Sequence, residues 1–287
     1  MNKLKLNPTF RILLLIILIV FIYTQFQGCD NTNDIITPED QDITVEAAFS
    51  RNTAEVQTIC CNVNSYLVLI ANNVTNIPGS CPVVSVNSST KTITVDYGSG
   101  CTTDSVKRSG SYIVGYFINS SGDSLTAAIN FSNYKVYKTQ SDLGYVSITG
   151  TNIISSKKIN ANLYQSQFNI SNTFASSAGK TKTVSVVMNS NSTITNSLPQ
   201  SGTFNITGSG TLNNVNTGIS YSYVVNPSYA ISYQTTCRYP YAGIVYFDTG
   251  GNRFTIDFSP NNNSCDGIIS VTKFGITKYI DLSVIDF

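Results

Sequence analysis

Most of this chain alternates between apolar and polar residues, which is the pattern of β-strands with one buried and one solvated face. Residues 92–97 are the clearest case, because Ile93 and Val95 fall on one face and hydrophilic side chains on the other. Residues 112–118 are apolar on both faces, which predicts a strand in the middle of a sheet. Only 11% of the residues are charged, so hydroxyl and amide groups must hydrate the surface, as is typical of secreted β-structure.

Strand-like runs continue to the C-terminus with no helix-length segment between them. They cover residues 125–131, 134–137, 145–153, 163–170, 183–188, 204–212, 219–225, 229–233, 244–247, 254–258, 268–271 and 278–282. Residues 125–131 and 134–137 are out of phase, which predicts a β-bulge near Asn133. Because strands joined without crossover helices pair antiparallel, we predict a mainly β fold, a meander of about a dozen strands. Sheets of this size curl or close, so we expect a curved sheet or half-barrel; a β-sandwich is the alternative.

One segment near the start of this region has a helical period instead. The apolar residues that recur at near-heptad spacing are Phe49, Val56, Val63 and Leu67. They predict one amphipathic helix over about residues 43–71, covering the apolar side of the sheet. The segment is rich in β-branched residues and Asn, so a helix followed by a strand over residues 66–70 remains open.

An apolar run near the N-terminus has the plan of an export signal. Lys3, Lys5 and Arg11 precede it, and residues 12–23 are uncharged and almost wholly aliphatic. A helix that spans a bilayer needs about 20 apolar residues, so a run of this length is more typical of a signal core. We therefore predict that residues 1–28 are a signal peptide.

The dipeptide Gly28-Cys29 resembles the lipobox of bacterial lipoproteins. The resemblance implies that Cys29 becomes the first residue of the mature chain and carries acyl chains, such as palmitate, at the outer membrane or cell surface. The alternatives are the periplasmic face of the inner membrane, or an uncleaved membrane helix over about residues 10–26. Residues 29–42 are polar and acidic, which predicts a flexible tether, and residues 43–287 then form a single domain.

The composition excludes several classes of function. Histidine is absent, which excludes a Ser-His-Asp or Cys-His mechanism and a histidine metal site on this chain. Without residues 1–28 the chain keeps 14 of its 17 Lys and Arg against 16 Asp and Glu, a net charge of −2. These charges are scattered, so we expect no nucleic-acid partner. The chain has no nucleotide or metal motif, and we expect no cofactor.

The cysteines after Cys29 are even in number, which predicts disulfides in an exported chain. They are Cys60, Cys61, Cys81, Cys101, Cys237 and Cys265. Residues 93–101 and 254–265 echo each other, because each has a strand that ends in Asp and an aromatic residue, then a polar loop and a cysteine. The pairs that this echo favours are Cys81 with Cys101 and Cys237 with Cys265. A vicinal pair, reduced thiols and swapped pairings of Cys60 or Cys61 with Cys81 remain open.

The same two blocks carry a resemblance to a known group of proteins. The first reads KTITVDYGSGC over residues 91–101, and the second runs from Cys237-Arg-Tyr to Cys265-Asp266. They are similar to exported lipoproteins of unknown function from Bacteroidetes, which implies a location but no activity. Ser105 and Ser124 each follow an Asp and precede an apolar residue, which fits the short O-glycosylation motif of that phylum.

We expect a structural or interaction module with an unidentified protein or glycan partner, rather than an enzyme. The alternative is a binding protein for an apolar or glycan ligand on the concave face of the sheet, where tyrosines would stack on the ligand. The candidate tyrosines are Tyr112, Tyr116, Tyr221, Tyr223, Tyr229 and Tyr233. For an enzyme, Asp96 and Asp257 would be the best carboxylate pair, although bonding to a turn is more typical of such residues.

Overall fold

One long helix and fifteen antiparallel strands form the fold in the computed structural model, which describes residues 44–103, 106–137, 144–198, 201–260 and 265–282. The helix, α1, is Thr44–Ala71. The strands in chain order are β1 (Val83–Asn87), β2 (Thr92–Asp96), β3 (Cys101–Thr103), β4 (Val106–Ile118), β5 (Ser124–Tyr137), β6 (Tyr145–Lys158), β7 (Leu163–Ser176), β8 (Thr181–Ile194), β9 (Gly202–Asn214), β10 (Ile219–Val225), β11 (Ile231–Gln234), β12 (Ile244–Thr249), β13 (Asn252–Asp257), β14 (Ile268–Lys273) and β15 (Ile276–Asp281). The predicted signal peptide, the tether and Cys29 lie outside the described residues.

The strands form a single open sheet in which most consecutive strands pair with each other. The order is β1-β2-β4-β5-β6-β7-β8-β9-β10-β12-β13-β14-β15, with β3 paired to β4 and β11 paired to β9. The predicted antiparallel meander is therefore confirmed, and the sandwich alternative is wrong, because all the strands belong to one sheet. Within the described part of the chain, no helix is long and apolar enough to cross a bilayer.

The predicted break in β5 is a real irregularity of the sheet. Asn133 has a left-handed backbone, with φ of 51°, and the pairing of β5 with β6 shifts register between Asn130 and Lys135. The pairing of β4 with β5 shifts at the same level, between Ser109 and Ser111. The irregularity restores the alternation, so apolar residues on both sides of it face the core.

The helix is confirmed, and it continues without a break through residues 66–70, so the helix-then-strand alternative is wrong. Phe49, Val56, Val63 and Leu67 are all fully buried. Burial extends much further than an amphipathic helix needs, because every residue from 46 to 54 is buried. Nine consecutive residues point in all directions around a helix, so this part of α1 is enclosed on every side.

Polar side chains of the buried helix find partners in the helix itself and in the sheet. Thr53 donates to the carbonyl of Phe49 at 2.7 Å, four residues earlier, and Ser50 donates to its own turn in the same way. Asn64 donates to the Ser166 hydroxyl of β7 at 3.0 Å. The helix is thereby tied to the sheet through polar contacts as well as apolar packing.

The two faces of the sheet therefore differ. The helix face packs on α1 and, in β8, carries Val184, Val186 and Met188, which are buried. The solvent face carries the intervening residues of each strand, and in β8 these include Ser185 and Asn189.

Candidate binding groove

The tyrosines predicted to form a ligand platform belong mostly to the core. Tyr112, Tyr116, Tyr221, Tyr223 and Tyr233 are each at most 8% exposed. They lie on the helix face or against it, and Tyr221, for example, meets the Phe49 ring edge-on at 5.5 Å between centroids. α1 fills the space that a ligand on this face would need. Only Tyr229, of the six, is exposed.

The two predicted carboxylates bond to the turns that follow their own strands. Asp96 accepts the backbone N–H of Gly98 at 2.8 Å, and Asp257 accepts the backbone N–H and the hydroxyl of Ser259, both at 2.8 Å. Eight strands lie between β2 and β13 in the order of the sheet. Sheet order therefore does not bring the two together. Among the described residues, no three His, Cys, Asp or Glu side chains cluster as metal ligands would.

The six cysteines that the structure describes form two disulfides and two free thiols. Cys81 is bonded to Cys101, and Cys237 to Cys265, with Cα–Cα distances of 5.9 and 5.4 Å. Cys60 and Cys61 are free and lie inside the buried helix. Burial raises the pKa of both thiols, so they stay protonated and poorly nucleophilic.

A buried ion pair links the helix to β4. Arg108 donates to both carboxylate oxygens of Glu55, at 2.7 and 2.9 Å, and Tyr134 donates to one of them at 2.8 Å. Burial alone would raise the pKa of Glu55, but the charge of Arg108 and these hydrogen bonds outweigh it and lower the pKa. Burial also lowers the pKa of Arg51, beside the pair, to about 10.

This charged cluster has no room for a ligand. The cavity that Glu55 shares with Arg51 and Arg238 measures about 10 Å³, which is space for at most one water. The cluster therefore joins the helix to the sheet and its connections.

A groove lies on the solvent face, where the sheet forks at β9. The C-terminal part of β9 pairs with β10 and its N-terminal part pairs with β11. The connection between β10 and β11, residues 226–230, stands at this fork, and Pro227 and Ala230 form one wall of a groove of about 610 Å³. Asn226 holds this wall in place, because its side chain accepts the N–H of Ser228 at 2.9 Å and donates to the Tyr246 hydroxyl at 2.7 Å.

Two rows of polar side chains cross the floor of this groove from β5 to β9. Residues paired directly across antiparallel strands lie on the same face, so register alone defines the rows. The first row is Thr126, Ser155, Gln167, Asn189 and Thr207. The second row is Ser124, Lys157, Gln165, Asn191 and Asn205. Within the first row the Gln167 side chain donates to the side-chain oxygen Oδ1 of Asn189 at 3.3 Å.

Sequence patterns could have pointed to these rows but not to the groove. Gln165 and Gln167, like Asn189 and Asn191, stand two apart in strands, so the pattern places each pair on one face. The fork at β9 is set by which strands pair over long distances, and local patterns do not carry that information. Of the predicted O-glycosylation residues, Ser124 is exposed at the rim of the groove, and Ser105 lies outside the described residues.

Comparisons with protein-family models, with curated proteins and with solved structures found no match to this chain. The resemblance to Bacteroidetes lipoproteins thus stays a prediction.

Proposed function

We propose that this chain is a lipid-anchored interaction protein of the outer membrane or cell surface that binds its partner on the solvent face of its sheet. The observation that carries the proposal is the difference between the two faces of the sheet. One face is filled by α1, and the other holds a groove of about 610 Å³, within the usual range of about 300 to 1,000 Å³ for ligand sites. We propose no catalytic role.

The cysteines support the location in this proposal. Disulfides form and persist in oxidising compartments, so the Cys81–Cys101 and Cys237–Cys265 bonds support export. Lipidation at Cys29 would hold the domain at the membrane, since two or more acyl chains anchor a protein stably. The acidic residues 29–42 would let the domain stand away from the bilayer.

A binding assay on whole cells tests this function. The purified mature chain is labelled with a fluorophore. It is added to cells of the strain that natively produces it, after the gene has been deleted from that strain. We expect saturable binding, and we expect Asn191→Trp to abolish it by filling the groove. Ser185→Trp is the matched control, because it lies on the same strand and face, about 20 Å away at ~3.4 Å per residue. Absent or unsaturable binding, or equal binding by both variants, would overturn the proposal.

A further inference from the structure

Apart from Lys157, the side chains in the two rows on the groove floor both donate and accept hydrogen bonds. Each Asn or Gln amide has an NH₂ donor and a carbonyl acceptor, and each Ser or Thr hydroxyl does both. Within the part of the chain that the structure describes, the side-chain amides of Gln165 and Asn191 have no hydrogen-bond partner. A ligand that presents closely spaced hydroxyl groups would satisfy such a floor, because each hydroxyl likewise donates and accepts.

Two exposed aromatic residues flank this polar floor. Phe117 of β4 pairs directly with Thr126, at the end of the first row, and is 62% exposed. Tyr229 is 59% exposed and lies in the connection between β10 and β11, of which Pro227 and Ala230 line the groove. Neither ring stacks on another aromatic ring among the described residues. An aromatic ring beside hydrogen-bonding groups suits a ligand that has one apolar face and polar edges, as a sugar ring does.

The groove carries little charge. Lys157 is the one charged residue that lines it among the described residues. Asp123 lies close enough for the Lys157 charge to contribute to lowering its pKa, after the larger effect of hydrogen bonds from Ser121 and Asn119. A lone lysine with a neighbouring carboxylate does not make an anion site, so the lining favours an uncharged ligand.

The length of the floor indicates a chain rather than a single small molecule. The rows cross five strands, and four intervals of ~4.8 Å give a span of about 19 Å. One strand interval is close to the length of one sugar unit in a linear glycan. Successive units would thus meet equivalent pairs of side chains on successive strands.

We propose that the groove binds a neutral glycan chain laid across β5 to β9, with sugar rings stacked on Phe117 and Tyr229 at its ends. The inference rests on the proposed function and names the ligand class of the same site. Recognition is shared among many hydrogen bonds, each of modest worth, so affinity rises with the number of sugar units bound.

The test extends the cell-binding assay by destroying one class of surface molecule at a time. Cells are treated with periodate, which cleaves the vicinal diols of sugars, or with a protease, before the labelled chain is added. We expect periodate to abolish the groove-dependent binding and protease to leave it. We also expect it to be unchanged between about 50 mM and about 500 mM salt, because screening weakens only charged contacts.

Two substitutions test whether the ligand binds in the groove. Phe117→Ala and Gln165→Ala should each weaken binding roughly tenfold, the effect of losing one good contact. Ile113→Ala is the control for the first, because Ile113 is also on β4, on the same face, and exposed. Ser185→Ala is the control for the second, and both controls should bind as the parent chain does.

The outcomes separate this inference from the function on which it rests. Groove-dependent binding that protease removes and periodate spares would mean a protein partner, which overturns the glycan and leaves the interaction function standing. Binding that falls steeply with salt would overturn neutrality. If no binding depends on Asn191, both proposals fail together.

Discussion

At the scale of single residues, the contact between Glu55 and Arg108 is the one whose loss should matter most. Both side chains are largely shielded from water, at 12% and 6% exposure, and they meet through two parallel hydrogen bonds. Removing one partner of such a pair leaves the other charge buried and uncompensated. The pair therefore stabilises the position of α1 against β4.

We predict that Glu55→Gln lowers the free energy of unfolding at pH 7 by about 3 to 5 kcal/mol. The loss should shrink in acid. The pKa of Glu55 in the folded protein is lowered, so its contribution is complete above the unfolded pKa of about 4.3 and disappears as the pH falls through the folded pKa. Urea unfolding followed by tyrosine fluorescence, at pH 7 and through the acid range, measures both effects.

Asp248→Asn is the control, because Asp248 and Arg253 form the same two-bond geometry, at 2.8 and 3.0 Å, on the surface. This exposed pair is screened by water, so its loss should change stability little. Equal losses in the two variants, or a Glu55→Gln loss that persists unchanged in acid, would contradict the assignment.

The buried tyrosines show what the alternating pattern can and cannot predict. The alternation correctly puts Tyr221 and Tyr223 on one face of β10, but it cannot say whether that face meets solvent or the core. The tyrosines are buried because α1 packs against this face of the sheet. That contact joins parts of the chain that are far apart in sequence. Gln57 and Asn64 would be assigned to the solvent side of the helix, because polar residues normally mark a solvated helix face. Here sheet residues meet them, and Gln57 donates to the sulfur of Met188.

At the scale of elements, the shift in the pairing of β4 with β5 depends on close contact between two backbones. Gly110 has φ of +77°, and a Cβ there would collide with the carbonyl group of Asn133. Its N–H also bonds to the carbonyl of Gly98 at 3.0 Å. The shift thus fixes the loop before β3 as well as the register of β5.

We predict that Gly110→Ala destabilises the fold more than Gly179→Ala does. Gly179, in the turn between β7 and β8, has a nearly identical φ of +79° but open space around its Cβ position. A left-handed alanine costs about 1 to 2 kcal/mol, which both variants share. The collision at Gly110 should add about 1 to 3 kcal/mol. Thermal unfolding of the two variants measures the difference, and equal melting temperatures would show that the close approach does not matter.

Elements that depend on local pattern could be predicted, and those that depend on long-range pairing could not. The helix ending at Ala71 and the irregularity at Asn133 follow from periodicity and its interruption. The helix end is also local in origin, since Asn73 at φ of 63° closes it with bonds from Asn73 to Ile70 and from Val74 to Leu69. The groove could not be predicted because it depends on β10 and β11 both pairing with β9. The sequence of neither strand specifies which strand it pairs with.

At the scale of the whole molecule, one face of the sheet packs on α1 and the other faces solvent. This arrangement needs no large charge to stay soluble, because rows of amides and hydroxyls hydrate the solvent face. The disulfides fasten parts of the fold that the main strands hold least, the short first strands and the loops around β12 and β13. They close loops of 20 and 28 residues, and closures of this size add about 3 kcal/mol each by restricting the unfolded chain.

Counting reactive cysteines tests the proposed anchor together with the fold. A maleimide should label no thiol in the native protein, because Cys60 and Cys61 are buried. After unfolding without reductant it should label those two alone, and after reduction six, since an acylated Cys29 cannot react. Intact-mass spectrometry of the chain purified from membranes counts the labels, and Cys60→Ala/Cys61→Ala should give none before reduction. Counts of three and seven would mean that Cys29 is a free thiol and that another feature holds the protein at the membrane.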